Sequence, residues 1–277
     1  MSANVTPQSA SPSQAELDWD AIAPPTDLIF DDGEPLESNR HRIGMNLLIR
    51  SLQQAWSDRD DYFTGGNMFV YYSRTQARNR DFRGPDFFVT LNVDGTRSRQ
   101  GWVVWEENGR YPDVIVELMS SSTASIDTGV KKEIYAEIFR TPDYFVYDPF
   151  EVNSLQGWHL DGTLHYQPIQ PNERGWLWCE RLGFWLGIWE GTCDRETAPW
   201  LRFYYPDGSL VLLPEEAERQ RADEVQQRAD EVQQRADEAQ RRTDEAQQRA
   251  GEAQRRADRL AQLLRERGID PDELNGE

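Results

Sequence analysis

Lysine is nearly missing from this chain. Of its 30 basic residues, all but Lys131 and Lys132 are arginine. A lysine carries a compact point charge that an arginine does not copy, so this adjacent pair marks a place to look. Cysteine is scarce too. Cys179 and Cys193 make neither a disulfide framework nor a CxxC motif, and a reduced, cytoplasmic setting is expected. The three histidines, His41, His159 and His165, are too scattered for the usual His-rich zinc sites. No apolar run approaches the ~18–20 residues of a membrane span. The first basic residue is Arg40, so neither a secretory signal nor an Arg-rich transit peptide is expected. Excess positive charge is also lacking. The net charge is -19, with 31 acids against 18 bases up to residue 214 and 18 against 12 beyond it. That excludes a general DNA-coating surface, and nucleic-acid affinity would need a metal or a local Arg cluster to reverse the field.

Apolar residues are plentiful. They make up 38% of the chain and include ten Trp, eleven Phe and ten Tyr, enough for a sizeable core. Residues 1–27 are rich in Ser, Pro, Ala and Gln and read as a flexible arm. A helix is expected near Ser38 to Trp56, where Ile43, Leu47, Leu48 and Leu52 recur at three- and four-residue spacing. Asn67–Tyr72 and Asp86–Val93 read as strands, and residues 94–111 as an inserted hairpin around Trp102–Trp105. Asp113–Met119 is an apolar run broken by one acid, Glu117, the pattern of a central strand buried on both faces. A helix is expected over Asp127–Arg140, with Val130, Ile134, Ile138 and Phe139 on its inner face, followed by a strand at Tyr144–Tyr147. From Gly157 to Leu213 short strands and turns, holding six of the ten Trp, form a β-rich extension of the same body. Residues 28–214 thus read as one α/β domain.

The remainder is a seven-residue repeat, RADEVQQ and its variants, from Arg221. Small or apolar residues such as Ala222, Val225, Ala229, Val232, Leu260 and Leu264 mark a heptad seam. Residues 215–267 are expected to form a coiled coil that makes the protein a homo-oligomer, with 268–277 as a tail. Acid-first i,i+4 Glu–Arg pairs within the helix support the alternative, a solvated single helix.

Three residues suggest chemistry. Asp86 opens one predicted strand, Glu117 lies inside another, and Lys131 sits in the first turns of the following helix. A charge inside a buried strand is costly without a partner or a metal. Two acids and one Lys gathered at a sheet edge outline a divalent-metal phosphodiesterase site: hard oxygens for Mg²⁺ or Mn²⁺, and an ammonium for phosphate charge. Each also has a plain reading: Asp86 as a turn cap after Pro85, Glu117 paired with an Arg such as Arg83, and Lys131 as a solvated helix residue. Lys132 reads as solvated, Tyr135 as core, and Asp127 as a cap or an i,i+4 partner of Lys131. Arg74, Arg78, Arg80 and Arg83 form the one basic run of the body.

Pro85-Asp86, Val116-Glu117-Leu118-Met119-Ser120, Ser122-Thr123, Asp127, Lys131, Tyr135 and Tyr144–Pro149 together resemble the putative restriction endonuclease family, abundant in cyanobacteria, of the PD-(D/E)xK nuclease superfamily. The resemblance covers roughly residues 28–213. It implies a restriction endonuclease-like mixed sheet flanked by helices and a Mg²⁺- or Mn²⁺-dependent endonuclease acting on nucleic acid, with DNA as the expected substrate. It further implies Asp86, Glu117 and Lys131 as catalytic residues and Asp86, Glu117, the Leu118 carbonyl and a residue of the first helix, Glu37 ahead of His41, as metal ligands. Two residues after Glu117, where the superfamily's Lys would stand, is Met119; Lys131 is its migrated replacement. A catalytically inactive, nuclease-like scaffold that uses its coiled coil for protein interactions is the competing reading.

Overall fold

The computed structural model describes residues 25, 27–30, 37–79 and 83–268. Most of the expected N-terminal arm, residues 269–277 of the tail, Arg80 and the Arg78 side chain lie outside the described residues. The chain divides into two compact units, Met1–Leu213 and Pro214–Glu277.

The first unit is built on a six-stranded mixed sheet in the order β1-β3-β5-β6-β7-β8. These strands are β1 (Tyr62–Gly65), β3 (Phe87–Leu91), β5 (Val114–Leu118), β6 (Asp143–Tyr147), β7 (Gln156–Leu160) and β8 (Tyr166–Pro168). Only β5 and β6 run parallel, and the other pairs are antiparallel. A parallel pair needs a crossover, supplied by the helical stretch α3, residues 124–139. Every residue of β3, β5 and β6 is buried, because both faces of the sheet are covered.

Side-chain alternation divides the two faces. Phe87, Val89, Val114, Val116, Leu118 and Phe145 point to one core. There they meet helix α1 (Asn39–Ala55) and a second sheet of β9 (Leu177–Cys179), β10 (Phe184–Cys193) and β11 (Glu196–Tyr204). Phe88, Ile115, Met119, Tyr144 and Val146 point to the other, where Tyr135 and Phe139 of α3 pack.

Three expectations change. Residues 94–111 are not a hairpin. β4 (Trp102–Val103) instead pairs in parallel with β2 (Val70–Tyr71), which is followed by the short helix α2 (Arg74–Arg78), and the chain leaves β4 through a 3₁₀ turn, Val104–Glu106. Where short strands are expected after Gly157, β10 and β11 form one long hairpin of 10 and 9 residues that turns at Asp194 and Arg195, both at positive φ, 48° and 68°. No Gly announces that turn in the sequence. Third, α3 is not a regular helix. It carries two π-helical turns, Asp127–Lys131 and Tyr135–Phe139. Wide turns interleaved with α-helical ones bring the repeat close to four residues per turn. Asp127, Tyr135 and Phe139 are buried, whereas Val130 and Ile138 are exposed, so the expected inner face is wrong for both of those residues.

The second unit is a continuous helix, α4 (Pro214–Glu266), 53 residues long, or ~80 Å at 1.5 Å per residue. None of its residues is buried within the chain. Arg242–Glu238 at 2.6 Å and Arg249–Glu245 at 3.5 Å are i,i+4 ion pairs. A second series was not anticipated: Gln226, Gln233, Gln240 and Gln254 donate to the Asp four residues on at 2.7–2.8 Å. Among the described residues no helix is long and apolar enough to cross a membrane.

Gly157 of β7 shows how tightly the sheet is packed. A Cβ there would meet the Phe145 ring at 2.5 Å, while one on Gly162 would meet nothing within 4 Å. Gly157→Ala should therefore destabilise by about 1–3 kcal/mol and Gly162→Ala should be nearly silent, as read by denaturant melts.

Candidate active site

The antiparallel register pairs Phe87 with Val116 and Phe88 with Ile115. One residue further, the same register sets Asp86 opposite Glu117. Asp86 has the parity of Phe88 and Glu117 that of Ile115 and Met119, all on the α3 face. The contacts agree. The Leu118 amide donates to Asp86 Oδ2 at 2.8 Å, and the Asp86 amide reaches Glu117 Oε2 at 3.4 Å.

α3 completes the group from above. Lys131 Nζ lies 3.2 Å from Glu117 Oε2 and 2.7 Å from Asp127 Oδ1. The Tyr135 hydroxyl donates to Glu117 Oε1 at 2.7 Å. The Tyr144 hydroxyl donates to the Asp127 carbonyl at 2.8 Å and ties the π turn to β6. Glu117 is wholly buried and Asp127 nearly so. Met119 packs in the core on this same face, and its amide donates to Tyr147 O at 2.7 Å. The position after β5 is therefore filled by an apolar side chain, and the ammonium arrives from the helix.

Charge explains the electrostatics. Burial, then the neighbouring Glu117 carboxylate, push Asp86 well above the usual carboxylate range, against the Leu118 amide and Lys131. Burial acts to lower Lys131, but Glu117 and then Asp127 more than offset it and hold the ammonium above its ordinary value. Burial, then Glu117, raise the Tyr135 hydroxyl well above its ordinary value, so it stays a donor. Asp86, Glu117 and Asp127 thus face one lysine.

A divalent cation fits this arrangement. Asp86 and Glu117 offer hard oxygens, and their mutual repulsion is what a second positive charge would relieve. Among the described residues no group of three His, Cys, Asp or Glu side chains forms that could hold a metal. The protein would supply two carboxylates and leave the other positions to water or phosphate, as Mg²⁺ commonly accepts. Glu37 is not drawn into the pair: its Oε2 lies 3.2 Å from His41 Nε2. Buried His41 also reaches Met119 O at 3.2 Å, with its Nδ1 2.8 Å from Ser38 Oγ. Leu118 joins the group through its amide.

Residues 17–192 match the model of the Uma2 family, described as "Putative restriction endonuclease". The chain belongs to the Uma2 family. A solved structure, described as a putative nuclease belonging to DUF820 from Anabaena variabilis, aligns over 58% of this chain and 87% of its own at 10% identity and a TM-score of 0.38. No curated protein matches.

Two neighbours of the Uma2 site escaped the sequence reading. Tyr135 is a hydrogen-bond donor to the central acid as well as a core ring, and only its place four residues after Lys131 hints at this. Lys132 is not simply solvated: its Nζ stands 4.0 Å from the centre of the Trp158 ring, a cation–π contact.

Because the Asp86 carboxyl is raised in the fold, the folded state holds its proton above the pH at which the unfolded chain releases it. This contribution to stability is present at low pH and is lost as pH rises through the raised value. Asp86→Asn keeps an acceptor for the Leu118 amide and should flatten that fall. In ion-free buffer at neutral pH it should raise Tm relative to wild type. Thermal melts across pH would check both.

Proposed function

We propose that this Uma2 protein is a divalent-metal-dependent endonuclease that hydrolyses phosphodiester bonds, with DNA as substrate. The observation that carries this reading is the register that sets Asp86 opposite Glu117, with Lys131 at 3.2 Å from the same carboxylate. Asp86 and Glu117 are the metal ligands, with the Leu118 carbonyl beside them; Mg²⁺ or Mn²⁺ suits their oxygens. When bound, such an ion supplies Lewis-acid polarisation of the phosphate and a water of lowered pKa.

The chain's own residues do the rest. Lys131 presents a permanent positive charge for the charge developing on the phosphoryl oxygens. Asp127 keeps that ammonium over the site. Glu117 and Asp86 hold negative charge beside it and repel the incoming phosphate until that charge is neutralised. The chain's net charge of -19 gives the duplex little help, so binding depends on the site itself, and with few phosphates neutralised by basic side chains its salt dependence is shallow.

A plasmid-nicking assay with Mg²⁺ and Mn²⁺ tests the reading. Wild type should nick. Lys131→Ala should lose about 10²–10³-fold, the usual cost of removing one electrostatic stabiliser, and Glu117→Gln should be inactive. No cleavage by wild type of any DNA or RNA substrate with either ion would favour the non-catalytic scaffold.

The seam of α4, with Val225 and Val232 each 65% exposed in the single chain, supports a further element of the proposal: residues 215–267 pair copies of the protein as a coiled coil. Sedimentation should give an oligomer for wild type and a monomer for the Val225→Glu/Val232→Glu double variant. A monomeric wild type would remove this element.

A further inference from the structure

Glu117 has two carboxylate oxygens, and α3 engages both. Lys131 stands on Oε2 at 3.2 Å, and Tyr135 donates to Oε1 at 2.7 Å. The Tyr135 side chain is wholly buried. Its ring packs edge-on against Tyr144 with centroids 5.3 Å apart and at a tilt against Phe139 at 5.1 Å. Tyr144 is anchored in turn, through its hydroxyl, to the Asp127 carbonyl at 2.8 Å. The bearing of the Tyr135 hydroxyl is therefore set by two aromatic neighbours and by the π turn that begins at this residue.

A buried carboxylate with one bound oxygen is still free to turn about its last bond. A donor on the second oxygen stops that rotation. Here the donor holds Oε1, which leaves Oε2 facing Lys131 and the Asp86 backbone. We propose that Tyr135 is a positioning residue of the site: its hydroxyl orients Glu117 so that Oε2 is the oxygen presented to the metal and the phosphate. This rests on the endonuclease reading above and assigns it a further residue. A phenylalanine would fill the same space, so core packing alone gives the hydroxyl no role. An orienting partner of a metal ligand, when removed, typically costs 10–100-fold in metal affinity or activity.

The test compares full-length wild type with Tyr135→Phe, using Mn²⁺ as the probe ion. Calorimetry reads Mn²⁺ affinity, the nicking assay separates kcat from KM, and the carbon-13 resonance of the Glu117 carboxyl is followed in the ion-free protein. Tyr135→Phe should weaken Mn²⁺ binding about tenfold or more and lower kcat with KM for DNA unchanged. It should also move the Glu117 resonance. Unchanged affinity, kcat and resonance in an active enzyme would overturn the inference and leave the endonuclease reading standing. A wild type that neither binds Mn²⁺ nor nicks DNA would defeat that reading and the metal-presenting role with it. In that case the resonance still decides the orienting hydrogen bond: a shift in Tyr135→Phe supports it, and an unmoved signal removes it.

Discussion

A carboxylate in the middle of a sheet buried on both faces cannot stand without partners. Glu117 is such a group, wholly buried in the central strand β5. Taking an ion of this kind out of water costs several kcal/mol even after relaxation. Much of the structure around it supplies the compensation. Lys131 brings the charge, Tyr135 the hydrogen bond, and Asp127 holds the lysine within 2.7 Å. The compensation stops short of neutrality, because Asp86 adds another acid opposite Glu117. The strain appears as a carboxyl driven upward by burial and by its neighbour. A site left short of positive charge can answer to a cation, which a fully paired one cannot.

The geometry of α3 follows from the same demand. A regular helix would turn Asp127, Lys131 and Tyr135 progressively off one line, since four residues overshoot a 3.6-residue turn. The two π turns slow that drift, and single π turns inside helices frequently mark functional positions. The consequence on the far side is that Val130 and Ile138 face solvent. The helix gives up apolar burial on that side to keep three polar side chains in register with one acid.

The second lysine shows how composition and tertiary contact divide. Both lysines stand on the same turn of α3, one residue apart. Lys131 turns into the carboxylate group, while Lys132 lies over Trp158 of β7. Scarcity singles out the pair but does not tell its members apart. Their different roles come from which strand lies beneath each side chain. Met119 adds the complementary fact: an apolar core residue stands two positions after the acid, just past the end of β5, and the charge comes from the helix.

By itself the sequence determined the elements whose signals are local. The heptad pattern and acid-first pairs demand a long helix, and α4 is one. The apolar run broken by one acid demands a buried strand, and β5 is one. Asp86, Glu117 and Lys131 could be grouped because a strand and its crossover helix bring their side chains to one edge. Tertiary structure alone decided which face of α3 is buried, because reading a face from periodicity assumes 3.6 residues per turn and the π turns break that assumption. It alone decided that Tyr135 serves Glu117, a hydrogen bond between residues eighteen apart in the chain. The parallel pairing of β2 with β4 belongs to the same class. These features form where distant segments pack together, and spacing along the chain carries no record of that packing.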